Sequence, residues 1–209
     1  AKDGYNDKGK YYTDYIDLES FADQWLFYEL NEENSVNSSV YYYKDSDICG
    51  DGKLHASWPW DMEHSLTREG GAASSWFAAA SDLKPEGYWM QFYHHRDFAE
   101  AVYKEWMTKF VPALEKALNL ETGYDPNGIS SLDWYLGYYG TDAQINESRW
   151  NGSGFAEKLE KIRRIYTVRL DFLTEALGLY DTDYIYFYKE NGILYGVNAQ
   201  EESIPVENP

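Results

Sequence analysis

The segment FAEKLEKIRRIYTVRLDFLTEALG, residues 155–178, carries the strongest secondary-structure signal in the chain. It predicts a helix over 155–177 that stops at Gly178. The side chains of one helical face recur three and four residues apart, and they are Leu159, Ile162, Tyr166, Arg169, Leu173 and Ala176. Arg169 lies on this otherwise apolar stripe. Because an unpaired buried charge is costly, we expect Arg169 to pair with a buried carboxylate.

Two earlier helices and a hairpin are predicted on similar grounds. Asp17 is a suitable N-cap for a helix that ends near Asn31, and its apolar face consists of Leu18, Phe21, Ala22, Trp25 and Leu26. Residues 96–119 repeat an apolar or aromatic side chain every four positions, and Pro112 should kink that helix or start a second segment. Two short runs, 40–43 and 53–57, flank a turn and predict a β-hairpin.

The segments between these elements carry weaker signals. Residues 66–90 contain Gly70-Gly71, many alanines and Pro85, and predict a loop with short helical pieces. Residues 120–153 are rich in Gly, Asn, Asp and Ser, which also indicates a loop. Within that loop, residues 132–139 predict one or two turns of helix.

The C-terminal segment predicts a second hairpin. Residues 184–188 and 193–197 alternate in the manner of strands around Asn191-Gly192, a favourable two-residue turn. Residues 201–209 are polar and are predicted to be frayed. The fold class is therefore mainly α with small β-hairpins (α+β), with a main body over 1–178 and a C-terminal hairpin and tail over 179–209.

Charge and cysteine content exclude several classes of function. The chain has 209 residues, with 18 Lys and Arg against 36 Asp and Glu, for a net charge of −18. Such a field repels phosphate backbones, so we expect no nucleic-acid partner. Cys49 is the single cysteine, which rules out an internal disulfide or a Cys-based zinc site. The apolar runs are too short for a membrane span, and the polar residues 1–10 do not resemble a signal peptide.

Aromatic residues make up 18% of the chain, with 21 tyrosines. Large amphipathic rings of this kind fill cores and also cover surfaces. Their spread along the chain favours a packing role. The alternative is a stacking surface for sugars or peptides, with Trp58, Trp60, Trp76 and Trp89 as candidates for a sugar-binding face.

The order of acidic and hydroxyl residues between 29 and 64 suits phosphoryl transfer. Protein kinases place a catalytic carboxylate five residues before a metal-binding side chain, and a second carboxylate later holds the metal. Glu33 and Ser38 have that spacing, and Asp61 follows the predicted hairpin. Hard oxygen ligands of this type suit magnesium. With 36 acidic residues in the chain, the alternative is a solvated loop beside a helix cap.

Several motifs in the right order resemble the spore-coat protein H (CotH) family of atypical kinases. They are YIDLESFAD at 15–23, SSVYYYKD at 38–45, GKL at 52–54, WDME at 60–63 and YTVRLDFL at 166–173. The resemblance covers about residues 1–178. It implies the C-lobe of an atypical protein-kinase-like fold. It also implies ATP-dependent phosphorylation of Ser or Thr in extracellular or coat proteins by the intact parent, with Mg or Mn.

The resemblance also implies roles for individual residues. Glu33 stands at the position of the catalytic base, which is usually aspartate in the family, and Glu32 is its rival. Ser38 stands at a metal- and cofactor-contact position, and Asp61 at that of the main metal-binding carboxylate. Glu63 matches a second acidic metal position. A glutamate base is one methylene longer than aspartate, and a misplacement on the order of 1 Å can cost about 10²-fold in rate.

One part of a kinase has no counterpart in the sequence. Before Glu33 the lysines are Lys2, Lys8 and Lys10, in a segment with no strand pattern and no Gly-rich loop. Kinases need a lysine on a strand and a Gly-rich loop to hold the phosphates. We therefore expect this chain alone to bind ATP poorly and to be inactive, so that catalysis belongs, at most, to a longer parent.

The sequence thus leaves three functional alternatives. The first is the kinase C-lobe, acting on a protein substrate or within a coat complex, at the cell surface, the spore coat or in secreted form. The second is a non-catalytic binding or structural module of a surface or extracellular complex, in which the ATP site has decayed. The third is a carbohydrate-binding surface built from the aromatic residues.

Overall fold

Helix α1, Leu18–Leu30, supplies much of the core. In the computed structural model, which describes residues 5–33, 40–76, 92, 95–119, 123–150, 154–178, 184–190, 193–198 and 202–206, its Trp25 and Leu26 are fully buried. The predicted start is confirmed, because the Asp17 side chain accepts a hydrogen bond from the Ser20 N–H at 2.9 Å. The predicted end near Asn31 is also confirmed.

A second helical run covers residues 96–118 and contains a π-helical turn. Helix α2, Arg96–Glu105, passes through this turn at Trp106–Phe110 into helix α3, Val111–Leu118. The Val111 N–H bonds to the Trp106 carbonyl five residues back, so the register shifts just before Pro112. Proline lacks an N–H, and this shift lets the helix continue past it. The prediction that Pro112 starts a second segment is confirmed.

Helix α4, Leu132–Trp150, is longer than the sequence predicts. The prediction of one or two turns within 132–139 was wrong, because the helix runs for 19 residues. It lacks an apolar stripe, since Leu132 is its one fully buried side chain, and so its sequence shows no helical period. Polar contacts join it to the next helix: the Glu147 carboxylate accepts from the Phe155 N–H at 2.6 Å, and Asp133 pairs with Arg163 at 2.9 Å.

Helix α5, Phe155–Gly178, confirms the predicted helix. Its buried stripe includes Ile165, Arg169, Phe172 and Leu173. Together with α1, α2 and α3 it encloses the main hydrophobic cluster of the described residues. Of the stripe predicted from the sequence, Arg169, Leu173 and Ala176 are buried, whereas Leu159, Ile162 and Tyr166 are half-buried.

Two strands form the predicted first hairpin. Strand β1, Tyr42–Lys44, pairs antiparallel with β2, Leu54–Ala56. The hairpin is fixed to α1, because the Ala56 N–H donates to Ser20 Oγ at 3.1 Å and the Gln24 amide donates to the Ser57 carbonyl at 3.3 Å. This contact places the chain that follows β2 near the C-terminal end of α1.

The C-terminal strands form a three-stranded antiparallel sheet. Strands β3, Tyr184–Glu190, and β4, Ile193–Asn198, confirm the second hairpin, while its Asn191-Gly192 turn lies outside the described residues. The prediction of a frayed tail was wrong for Ser203–Val206, which form strand β5 against β4. Pro205 is compatible with this strand because β5 lies at the edge of the sheet.

The fold class is confirmed in its coarse form, a mainly helical chain with two small antiparallel sheets. The kinase-like C-lobe and the division at residues 178 and 179 stay predictions. In the parts of the chain that the structure describes, no helix combines the length and the hydrophobicity needed to cross a membrane.

Candidate functional site

The C-terminal end of α1 is packed with buried polar groups. Glu29, Asn31, Glu32 and Glu33 are all buried where the helix ends. The segment after β2 returns to this point, and the Leu66 N–H donates to the Asn31 carbonyl at 2.8 Å. We call this region the helix-end network. Buried charges of this density require partners, and the following contacts supply them.

Arg169 of α5 provides the central ion pair of the helix-end network. Its Nη2 lies 2.6 Å from Glu29 Oε1, and both side chains are fully buried. The same nitrogen donates to the Glu29 carbonyl at 2.6 Å, while Nη1 donates to the carbonyls of Ala73 at 3.0 Å and Ser75 at 2.6 Å. The predicted pairing of Arg169 with a buried carboxylate is confirmed. The guanidinium therefore joins α5, α1 and the loop around residue 73.

A second arginine, Arg68, reinforces the same loop. Its backbone N–H donates to Glu32 Oε2 at 2.8 Å, and its Nε lies 3.3 Å from Glu32 Oε1. Its guanidinium also donates to Ser75 Oγ at 2.8 Å. Burial lowers the pKa of Arg68, and the Glu32 carboxylate opposes this shift. Glu32 is thus held by a partner from the segment that follows the hairpin.

Three non-glycine residues of this region have left-handed backbone conformations. They are Glu32 with φ 54°, Asp61 with φ 59° and Leu66 with φ 55°. Such conformations cost roughly 1–2 kcal/mol each for residues with a Cβ. They persist where the surroundings over-determine them, and they cluster at functional sites. Glu32 and Leu66 are fixed here by hydrogen bonds of the helix-end network.

The structure brings some of the predicted site residues into one region. Glu33 is fully buried and its Oε2 accepts from Ser65 Oγ at 2.8 Å. Asp61 is exposed and immediately precedes the 3₁₀ turn Met62–His64, which contains Glu63. The backbone of Trp60 hydrogen-bonds the Tyr28 phenol. The segment 60–65 therefore lies beside the end of α1.

The described side chains do not form a metal site. In the ranges that the structure describes, there is no group of three or more His, Cys, Asp or Glu residues arranged to hold an ion. Glu32 and Glu33 direct carboxylate oxygens to Arg68 and Ser65 instead. Ser38 lies outside the described residues. The expected Mg or Mn and the roles of Glu33, Ser38, Asp61 and Glu63 therefore stay predictions.

A groove of about 700 Å³ lies beside the helix-end network. Helix α1, the first hairpin, α3 and α5 form its walls, and its apolar lining is largely aromatic and small aliphatic. The apolar residues in contact with it include Phe27, Leu30, Trp58, Phe110, Ala113 and Leu114. No sequence motif predicts this groove, because its walls come from segments far apart in the chain.

Both ends of the groove carry polar groups. The Tyr166 phenol donates to Asn31 Oδ1 at 2.7 Å, and burial raises the pKa of Tyr166 to about 12. Lys109 lies within 2.9 Å of carboxylate oxygens from Glu19, Asp23 and Glu105. Burial lowers the pKa of Lys109, but hydrogen bonds from these three carboxylates outweigh it and raise that pKa. Lys109 is therefore charged, and it shares Glu19 and Glu105 with Lys104.

Comparisons with protein-family models, with curated proteins and with solved structures find no match. The resemblance to the spore-coat protein H kinases therefore stays a hypothesis, based on the motifs quoted from the sequence. The contacts around α1 and the groove are the observations from which function can be argued.

Replacing Arg169 tests whether the helix-end network holds the fold together. Breaking a buried ion pair leaves an uncompensated charge, so Arg169→Met should lower the free energy of unfolding by about 3–5 kcal/mol. The double variant Glu29→Gln/Arg169→Met should lose less than the sum of the two single variants, because it removes that charge. Urea denaturation followed by circular dichroism measures both effects.

The matched control is Arg164→Met on the same helix. Arg164 pairs with Glu69 at 3.0 Å, and both side chains are exposed. Exposed pairs contribute at most about 1 kcal/mol. If Arg164→Met and Arg169→Met lowered the free energy of unfolding by the same amount, the central role of Arg169 would be contradicted.

Tyr166 should make stability depend on pH in the alkaline range. Its pKa is about 12 in the folded protein and about 10 when unfolded, so the folded state holds the proton more tightly. This stabilisation is fully present below pH 10 and is lost as the pH rises towards 12.

Tyr166→Phe should therefore flatten the fall in stability between pH 10 and pH 12 by up to about 1.4 kcal/mol per pH unit. Burial and Asp97 also raise the pKa of Tyr11 to about 12. Tyr11 titrates in the wild type and in Tyr166→Phe alike, so the contribution of Tyr166 is the difference in stability between the two proteins at each pH. Urea midpoints measured across this range give that difference. If the wild type and Tyr166→Phe gave the same dependence of the urea midpoint on pH, folding would not raise the pKa of Tyr166.

Proposed function

We propose that this chain is a non-catalytic binding module that docks a basic segment of a partner protein in the groove beside α1. The observation that carries the proposal is the burial of Glu33, which is fully enclosed and bonded to Ser65. The carboxylate at the position of the kinase base thus has a structural partner. The surface available for recognition is the groove next to it.

The chemistry of a general base supports this choice. A base must reach the proton of the attacking hydroxyl within hydrogen-bond distance, about 2.6–3.2 Å between heavy atoms. Glu33 has no exposed surface through which a substrate hydroxyl could approach. Its rival Glu32 is equally buried and is paired with Arg68. Both glutamates serve the helix-end network, which favours the binding module over a working catalytic site.

The size and lining of the groove suit a peptide with apolar anchors. Its volume of about 700 Å³ falls within the range of about 300–1,000 Å³ that is typical of ligand sites. Trp58 stands at the groove with 86% of its surface exposed. An exposed tryptophan beside an apolar groove is typical of the aromatic anchors that dominate binding energy at protein interfaces.

The charge around the groove selects a basic occupant. At one end, Lys109 and Lys104 share the three carboxylates of Glu19, Asp23 and Glu105, so three negative charges against two positive ones leave that end with about one negative charge. The whole chain carries −18, so its field attracts cationic partners and speeds their association. We therefore assign the groove to a protein segment that combines apolar anchors with Lys or Arg.

Selection from a library of random peptides, displayed on phage and panned on this chain, tests the proposal. Enriched peptides should combine apolar and basic residues. Ala113→Arg places a charged side chain in the groove, and it should weaken those peptides at least about tenfold, which corresponds to 1.4 kcal/mol. Fluorescence polarisation with the labelled peptides measures the affinity.

The matched control is Ala156→Arg, the same change at an exposed position of α5 outside the lining of the groove. It should keep wild-type affinity, and thermal unfolding should show that both variants remain folded. Equal binding by the 113 and 156 variants, or enrichment of acidic peptides, would contradict the proposal.

The strained backbone favours a second candidate, phosphoryl transfer in a longer parent at the cell surface or spore coat. Left-handed residues at Glu32, Asp61 and Leu66 are the kind of strain that functional sites retain. In this candidate Glu33 is the base, and Ser38, Asp61 and Glu63 hold the metal and ATP. The substrate is then Ser or Thr of an extracellular or coat protein.

Incubation with labelled ATP and Mg or Mn decides between the two candidates. The binding-module proposal expects the same background label for the wild type and for Asp61→Ala, in this chain and in any longer natural form. The control is Asp142→Ala, at an exposed acidic residue of α4. Label transfer that Asp61→Ala abolishes and Asp142→Ala leaves intact would establish the kinase instead.

A further inference from the structure

Five aromatic rings gather on α4 and the loop before it. Trp134 contacts Tyr124 at 4.9 Å and Tyr138 at 4.8 Å between ring centroids, both in stacked arrangements. Tyr135 and Tyr139 lie nearly parallel, with 8° between their planes and 6.3 Å between their centroids. We call this cluster the aromatic platform. Residues four apart on a helix share a face, which explains the two ring columns.

The core does not require the aromatic platform. Leu132 is the one fully buried residue of α4, whereas Tyr124 and Tyr138 are 61% and 64% exposed and Tyr139 is 44% exposed. Rings of this size usually stabilise a fold by being buried. A cluster left on the surface is the kind of patch that marks a binding site.

The loop that carries Tyr124 is held in place before any ligand arrives. The Ser131 N–H donates to the Gly123 carbonyl at 3.1 Å and closes the loop. Asp125 accepts from the Asn127 N–H at 2.9 Å and forms an ion pair with Lys116 of α3. Lys116 keeps the pKa of Asp125 below its usual value, so this carboxylate stays ionised. Such preorganisation reduces the entropy that binding would otherwise cost.

The rings border a groove of about 710 Å³ that also contains polar groups. Four tyrosines line it together with Asp125 and Ser130. The two ring columns are nearly perpendicular to each other, with 85° between the rings of Trp134 and Tyr139 and 82° between those of Tyr138 and Tyr139, so the cluster presents separate ring faces. Ring faces with hydroxyl and carboxylate groups beside them match a ligand that has an apolar face and a polar edge. Pyranose sugars have this character, because their C–H groups can stack on a ring face while their hydroxyls form hydrogen bonds.

We propose that the aromatic platform binds a neutral oligosaccharide of β-linked pyranoses with equatorial hydroxyls. Equatorial hydroxyls leave both faces of the sugar covered with C–H groups, which can stack on the outer ring faces of Tyr124 and Tyr138. These two rings stay largely exposed although each stacks on Trp134. The net charge of −18 disfavours sulfated or uronic-acid polymers. The two grooves share no lining residue, although Ile129 of the same loop lines the groove beside α1. The oligosaccharide proposal therefore does not depend on the peptide-binding proposal.

The test uses cellohexaose as the neutral probe and isothermal titration calorimetry as the measurement. The wild-type chain should bind it saturably. Tyr138→Ala should lower the affinity up to about tenfold, since one aromatic contact contributes about 0.5–1.5 kcal/mol. Tyr138→Phe keeps the ring and should retain most of the affinity.

The matched control is Tyr15→Ala, which removes another exposed tyrosine outside the platform and should bind as the wild type does. Thermal unfolding of each variant shows whether it remains folded. The proposal is overturned if cellohexaose shows no saturable binding, or if Tyr15→Ala weakens it as much as Tyr138→Ala. It is also overturned if only a proline-rich peptide, the other ligand that aromatic grooves recognise, binds to the platform.

Discussion

The buried ion pair between Arg169 and Glu29 is the interaction on which the rest of this structure depends. One guanidinium joins the middle of α5 to the end of α1 and to two carbonyls of the loop around residue 73. A buried ion pair adds little net stability compared with apolar packing. Removing one partner is strongly destabilising, because it leaves the other charge buried and unpaired. The pair therefore specifies where the three segments meet, and the apolar faces of α1 and α5 supply the burial that stabilises them.

The helix-end network also shapes what the chain can do. Because Glu32 and Glu33 are enclosed with Arg68 and Ser65, the acidic end of α1 contributes to the architecture. The open surfaces of the described residues include an apolar groove with an acidic end and a cluster of stacked aromatic rings. These surfaces are the reason why we propose recognition as the function.

Much of the fold could be predicted from residue patterns because local rules apply directly to them. Asp17 caps α1, Pro112 marks the change of register after α2, and the period around Arg169 defines the buried face of α5. Helix α4 was predicted too short because almost all of its side chains face outward, and an exposed helix has no apolar period. Strand β5 was missed because it has only four residues, contains Pro205 and needs β4 beside it.

The candidate site shows the same division between local pattern and tertiary contact. The sequence by itself determined that Arg169 must find a carboxylate, since the cost of an unpaired buried charge follows from its place on an apolar stripe. It also determined the acidic character of the chain and the helical periods. Only the tertiary structure decided that the partner is Glu29, that Glu33 is enclosed, and that Phe27 and Phe110 border one groove. These outcomes depend on segments far apart in the chain, whose contacts no local spacing encodes.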